Sequence, residues 1–290
     1  MKDFEYEAPV SLATAIEQIA AGNGSVKVLA GGTDLIDHIR TGRLTPSLVV
    51  DVKKIPELNV LEINSDGLRL GASVSCASVY GNEDICRDYS ALSDSCHIIG
   101  GIQIQNRASV GGNLCNSGPA ADSIPSLIAL DATCVIAGPQ GTREIAAEDF
   151  CTAPGKNVLE SGELLVELVM PARPAKSGSH YLRFIPRNEM DIAVVGVGAS
   201  VMLDETGETI QSARIGIGAA APTPLFAKEA SELLTGLPAN EESFAKAAAA
   251  AQEIVTPIDD MRGTVEFRTH VTGVLTKRAL HVAVERARKS

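Results

Sequence analysis

Apolar residues recur at helical spacing over 11–21, where Leu12, Ala15, Ile16, Ile19 and Ala20 share one face, Ser11 can cap and Gly22 stops the run. Val26 to Leu29 follows as a short buried strand, Leu35, Ile36 and Ile39 suggest a helical turn, and Leu48 to Val52 gives a second strand. From Pro56 the pattern changes to a more strand-rich one. Leu68 and Leu70 alternate with polar partners, Thr133 to Ala137 is a continuous apolar strand, and Leu164 to Met170 is the last of this set. Residues 88–99 and Ser123 to Leu130 read as helices between them. Tyr181 to Phe184 opens a further strand. A long hairpin comes next, Ile192 to Leu203 and Thr209 to Ala219 about the turn Asp204-Glu205-Thr206-Gly207. Three helices, around 223–236, 240–254 and 263–288, close the chain.

Pro171 and Pro174 interrupt the pattern and suit a connector, which places a domain boundary there. The expectation is an α+β protein with an N-terminal domain at 1–172, in subdomains of about 1–56 and 57–172. A C-terminal domain at 173–290 would pack helices on one face of an antiparallel sheet. A chain of 290 residues suits two domains better than one core.

Composition narrows the function classes. Tryptophan is absent and aromatics make up 3% of residues, so Ala, Val, Ile and Leu must fill the core. The net charge of −11 disfavours a nucleic-acid partner, which needs clustered Lys and Arg. The one basic cluster, Lys277, Arg278, Arg286, Arg288 and Lys289, reads as a solvated helix face or a subunit contact. No stretch approaches the roughly twenty apolar residues of a membrane span, and Met1-Lys2-Asp3-Phe4-Glu5 lacks the features of a secretory signal. A cytoplasmic location is expected. The cysteines, at 76, 86, 96, 115, 134 and 151, show neither Cys-x-x-Cys nor zinc-like spacing and read as small buried hydrophobes in a reducing compartment.

The chemistry concentrates in two glycine-centred loops. The first, Val28-Leu29-Ala30-Gly31-Gly32-Thr33-Asp34-Leu35, leaves the strand at Val26. The second is Ser109-Val110-Gly111-Gly112-Asn113, followed by Pro119-Ala120-Ala121-Asp122. Glycine pairs let successive backbone N–H groups face an anion, and Thr33, Ser109 and Asn113 add short polar side chains suited to phosphate oxygens. Either loop alone could be a tight turn. Two with the same composition favour a diphosphate held between two segments. Gly216-Ile217-Gly218-Ala219-Ala220-Ala221 imitates a dinucleotide fingerprint, but Pro222 and Pro224 follow at once and the strand before it reads as half of an antiparallel hairpin. No Walker A loop, no Gly-x-Ser-x-Gly elbow and no His pair at metal-binding spacing occurs, so neither a catalytic constellation nor a metal site is expected.

Loop order, the Pro-x-x-Asp after the second loop, Tyr181-Leu182-Arg183-Phe184-Ile185-Pro186-Arg187, Asp191-Ile192-Ala193-Val194-Val195 and Arg262-Gly263-Thr264 with Phe267-Arg268 are what the chain shares with a known family. It resembles, over essentially its whole length, the flavoprotein subunit of the molybdenum hydroxylases, the xanthine dehydrogenase and carbon monoxide dehydrogenase type. The resemblance implies a vanillyl-alcohol-oxidase (PCMH-type) domain that binds FAD non-covalently. It implies an oxidoreductase subunit that takes electrons from two [2Fe–2S] clusters on a small partner and passes them to NAD⁺ or another acceptor. A large partner would carry molybdopterin, in a dimer of heterotrimers.

Carried over residue by residue, Val28 to Leu35 becomes the diphosphate loop, with Gly31, Gly32 and Thr33 closest. Ser109 to Asn113 completes the cradle. Asp122 matches a carboxylate that bonds polar groups of FAD, although a helix N-cap is equally readable there. Leu165 matches an apolar position beside the flavin, or is a plain core leucine. Arg183 stands where many relatives carry a lysine near the flavin, or is a strand surface residue. Some relatives insert an extra iron–sulfur loop; nothing similar separates Cys115 from Cys134, so no cluster is expected on this chain. Two other readings stay open: a self-sufficient flavin oxidase or dehydrogenase, and a non-catalytic nucleotide-binding scaffold.

Overall fold

The computed structural model describes residues 2–22, 24–188 and 190–290. Three sheets organise the chain. The first is parallel, in the order β1-β3-β2, and is built from β1 (Glu5–Glu7), α1 (Leu12–Ala21), β2 (Val26–Leu29), α2 (Leu35–Arg40) and β3 (Leu48–Asp51). Parallel neighbours need a crossover, and the one between β2 and β3 contains α2. Ser11 caps α1 by accepting from Thr14 N, as its sequence suggests, and Ala15 packs with Val26, Val50 and Val52 in the small core beneath. β1 itself, Glu-Tyr-Glu and exposed throughout, has no apolar alternation by which periodicity would reveal it.

After the 3₁₀ turn Pro56–Asn59 comes an antiparallel sheet in the order β4-β5-β10-β6-β7. Its strands are β4 (Leu61–Asn64), β5 (Gly67–Gly71), β6 (Thr133–Gly138), β7 (Gly141–Ala146) and β10 (Leu164–Pro171). Short helices fill the space between β5 and β6: α3 (Cys76–Tyr80), α4 (Glu83–Asp88), α5 (Ser90–Cys96), α6 (Ile102–Gln105), α7 (Val110–Asn116) and α8 (Ser123–Ala129). Helix at 88–99 is thus split, because Tyr89 ends α4 and α5 stops at Cys96. β7 was not anticipated, and neither were α9 (Ala147–Phe150) and the hairpin of β8 (Cys151–Ala153) with β9 (Lys156–Asn157). In β10 the pairing with β6 slips between Leu165 and Glu167. That bulge turns Leu164 and Val166 into the first core and leaves Leu165, Leu168 and Met170 in the second.

The third sheet, antiparallel, runs β11 (Ser177–Phe184), β12 (Val195–Leu203), β13 (Ile210–Gly218) and β14 (Leu225–Phe226) in sequence order. Its hairpin matches the sequence reading closely. The helix expected at 223–236 is shorter: Pro224 biases Thr223 to extended backbone, Leu225 and Phe226 pair with Ile217 and Gly216 as β14, and only α10 (Lys228–Glu232) is helical. On one face, as expected, α12 (Val265–Lys289) packs against β11 and β12 and α10 against β13, while α11 (Glu241–Glu253) packs on these two helices. The other face receives α8. A Cβ at Gly198 would lie 2.6 Å from the Pro125 carbonyl oxygen, and one at Gly216 would overlap it. Gly216 and Gly218 therefore serve helix-on-sheet contact within an antiparallel pair, and the fingerprint they imitate has no βαβ unit to work in.

Of the cysteines, Cys76, Cys96 and Cys134 are buried, but Cys86 is exposed and is not a core residue. No helix among the described residues is long and apolar enough to cross a membrane.

Candidate functional site

The two glycine loops meet. The first leaves the C-terminal end of β2, and Gly31 lies so close to the segment before the second loop that a Cβ there would overlap the Arg107 carbonyl oxygen and stand 2.9 Å from Ala108 Cα. Gly32 takes a φ of +79°, a conformation glycine adopts without penalty, and its carbonyl accepts from Ile36 N at 3.0 Å to start α2. Gly31, Gly32 and Thr33 are half-buried and Asp34 is exposed. Asp34 occupies the cap position of α2 with no side-chain capping bond.

The second loop is not a free loop but the first turn of α7. Ser109 is its N-cap, extended, with Oγ accepting from Gly112 N at 3.1 Å. First-turn N–H groups of a helix lack carbonyl partners within it and carry the positive end of its dipole; with the Gly112 N–H taken by Ser109, those of Val110 and Gly111 remain to face an anion. Gly111 is wedged against Ala72, where a Cβ would come within 2.6 Å of backbone, whereas a Cβ at Gly112 would meet only Ser109 Oγ, at 2.9 Å. Gly112 is the open side of the turn. Asn113 Oδ1 accepts from Ser123 Oγ at 2.7 Å, which ties this loop to the start of α8.

Asp122 sits just before α8 and is buried. It makes no capping bond, so the N-cap reading fails; its carboxylate is drawn to β11 instead. Tyr181 donates its phenol to Oδ1 at 2.7 Å and Arg183 Nη1 donates to Oδ2 at 2.6 Å, while Arg183 Nη2 reaches the Ile98 carbonyl at 2.9 Å. The Arg183 side chain is 6% exposed, which overturns a surface role. Burial pushes the Asp122 carboxyl up to about 6 against the pull of Arg183 and Tyr181, and burial also drives the Tyr181 phenol well above its usual range. Tyr181 is a site residue that the sequence motifs alone do not single out. A signal existed, because residues two apart on a strand share a face, and Tyr181 with Arg183 do.

Leu165 is 1% exposed in the core of the antiparallel sheet, paired opposite Ile136. Val28 and Leu29 lie in β2 beside Val50 and Asp51. A second charged junction was also missed: Asp94 on α5 accepts from His180 Nδ1 at 2.5 Å and from Arg286 Nη1 at 2.6 Å. His180 is thus paired with a carboxylate, and Arg286 departs from the solvated basic cluster.

A diphosphate fits the cradle chemically. Two segments that converge only because Gly31 has no side chain place backbone donors from a helix first turn opposite a glycine turn, with Gly112 unobstructed. Among the described residues no three His, Cys, Asp or Glu side chains group to hold a metal.

Residues 2–173 match the family described as the FAD binding domain in molybdopterin dehydrogenase, and residues 180–283 match the CO dehydrogenase flavoprotein C-terminal domain. The chain is 32% identical over 290 residues to the xanthine dehydrogenase FAD-binding subunit of Escherichia coli O157:H7, covering 99% of this chain and 98% of that one. It is 30% identical to the carbon monoxide dehydrogenase medium chain of Afipia carboxidovorans, with 98% of each covered. Among solved structures, a carbon monoxide dehydrogenase from Hydrogenophaga pseudoflava lacking the Mo-pyranopterin moiety superposes with a TM-score of 0.93 at 29% identity, over 98% of each chain.

Proposed function

The chain belongs to the FAD-binding subunits of the molybdopterin dehydrogenases, oxidoreductases of the xanthine and carbon monoxide dehydrogenase type, and from this we propose that it is the electron-transfer subunit of such a complex. In this reading it accepts electrons from [2Fe–2S] clusters on a small partner and delivers them to NAD⁺ or another acceptor. A large partner holds the molybdopterin, and the whole is a dimer of heterotrimers. The description of one relative as a medium chain and of another as a subunit supports a multi-chain assembly.

One observation carries the reading: the glycine loops are joined at Gly31 and Arg107, and Asn113 links them through Ser123 to the buried Asp122–Arg183 pair. The cofactor, when bound, supplies reversible electron exchange. The protein's own part is to hold and tune. Backbone N–H groups of Gly31 to Thr33 and of Val110 and Gly111 would take the diphosphate, with Thr33 and Ser109 adjoining and Gly112 leaving room for it. Tyr181 and Arg183 would fix the orientation of the Asp122 carboxylate, and that carboxylate would largely balance the positive charge of Arg183. Leu165 would contribute an apolar wall.

The test is reconstitution. The purified chain, mixed with the large and small chains of its complex, should restore substrate-to-acceptor turnover that none shows alone. Steady oxidation of a purine, an aldehyde or carbon monoxide by the single chain would sink the reading.

A further inference from the structure

We propose that the cleft on the Arg107 side of the first glycine loop is a second ligand site, one that takes a phosphomonoester of nucleoside monophosphate size. The cleft measures about 310 Å³ and is walled by Arg107 and Asn106 before α7, Lys53 and Asn59 after β3, and Ser73, Ser75 and Ser78 around the start of α3. None of Gly31 to Thr33 or Ser109 to Asn113 lines it, so it is separate from the cradle.

Three features point to a bound anion with a polar body. Ser73 is 8% exposed, and its Oγ has no hydrogen-bond partner. A buried hydroxyl left unsatisfied costs free energy that a ligand oxygen would recover. The cations are uneven: Lys53 is held by Asp51 at 2.7 Å, and Tyr6 donates to the same carboxylate oxygen at 2.5 Å, whereas Arg107 has no ion-pair partner among the described residues. With Lys53 balanced by Asp51, Arg107 carries the net positive charge, and its planar fork matches phosphate oxygens. The remaining lining suits a sugar: Asn59 donates to the carbonyls of Lys53 and Ile55 and keeps its amide oxygen, Ser75 and Ser78 share a bond at 2.9 Å, and Leu61 and Val74 give apolar wall. The volume exceeds what orthophosphate needs. Because the Arg107 carbonyl abuts Gly31, occupancy of the cleft would bear on the first glycine loop.

The test titrates AMP, ribose 5-phosphate, adenosine and orthophosphate into the FAD-loaded full chain at low salt by calorimetry, with flavin absorbance read in the same samples. AMP and ribose 5-phosphate should bind one per chain with flavin retained. Orthophosphate should bind more weakly and adenosine not measurably. Arg107→Gln should weaken AMP by about tenfold or more, as expected for a lost charge-assisted hydrogen bond, with Arg107→Lys intermediate. Ser73→Ala should weaken it less and should leave flavin content unchanged. No AMP binding, AMP binding indifferent to Arg107→Gln, or equal affinity for orthophosphate and AMP would overturn the assignment. Displacement of FAD by AMP would overturn it too, by merging the cleft with the cradle. A chain that binds AMP but carries no flavin would count against the function proposed above and leave this site standing.

Discussion

Arg183 and Asp122 meet at 2.6 Å with both side chains under a tenth exposed, and the contact joins the third sheet to the segment that opens α8. Removing the cation alone leaves a buried carboxylate without its counter-charge. Arg183→Met is therefore expected to destabilise the chain by about 3 kcal/mol or more, whereas the double change Arg183→Met with Asp122→Leu should recover part of that loss. Chemical denaturation of the four proteins of the cycle measures it.

The same carboxyl gives a pH signature. Its native value, raised to about 6 by burial, stands above the ordinary 3.8. Between about pH 4 and about 6 the native chain keeps a proton the unfolded chain has released, so this group's contribution to stability falls as pH rises through the window and levels off above it. Stability of the native sequence relative to Asp122→Asn should drop across that window by up to about 3 kcal/mol. A flat difference would mean that the carboxylate is already ionised at the lower end.

Asp94 should behave in the opposite sense. Burial would raise it, but bonds from His180 and Arg286 outweigh that and hold it below the usual range. Its stabilisation is present above the ordinary 3.8 and lost only as pH falls through the lower native value. Arg286 Nη1 also donates to the Ser179 carbonyl at 2.8 Å, so Arg286→Ala unties α12 from α5 and β11 together. A loss of about 1–3 kcal/mol at neutral pH is expected, read by denaturant midpoint.

How much of this was readable depended on the range of each interaction. α1, β2 and the hairpin of β12 and β13 follow from local periodicity, and the glycine loops from their composition. That Gly31 would touch Arg107 did not follow, because the contact joins segments far apart in the chain and depends on an absent side chain. Asp122 was visible as a polar residue at a helix start, where capping is the local expectation. A tertiary pair with Arg183 won instead, since a buried carboxylate gains more from a cation than from one N–H. The helix at 223–236 starts late for a partly local reason: Pro224 biases Thr223 to extended backbone, and Leu225 and Phe226 then pair with β13.

FAD is expected to leave intact on acid precipitation, because neither glycine loop offers a residue suited to a covalent flavin bond. The supernatant should contain FAD, identified by its retention and by its fluorescence rise on cleavage to FMN. Flavin retained in the pellet would contradict non-covalent binding.

Gly31 and Gly112 separate folding from cofactor binding. A Cβ at Gly31 meets backbone of the Arg107–Ala108 segment, which cannot swing aside as a side-chain end can. Gly31→Ala should force the first sheet away from α7 and lower both stability and flavin content, the former by about 1–3 kcal/mol as for other overpacked sites. At Gly112 the added methyl meets only the Ser109 hydroxyl, and its φ is not in the left-handed region, so the fold should tolerate alanine at a cost near the loss of one cap, about 1 kcal/mol. The same methyl stands on the open side of the α7 first turn, where a diphosphate would approach. Gly112→Ala should therefore purify as a folded chain depleted of flavin, and Gly112→Val more so. Stoichiometric FAD in both Gly112 variants would show that the first turn of α7 is an ordinary helix start and would remove the second half of the cradle.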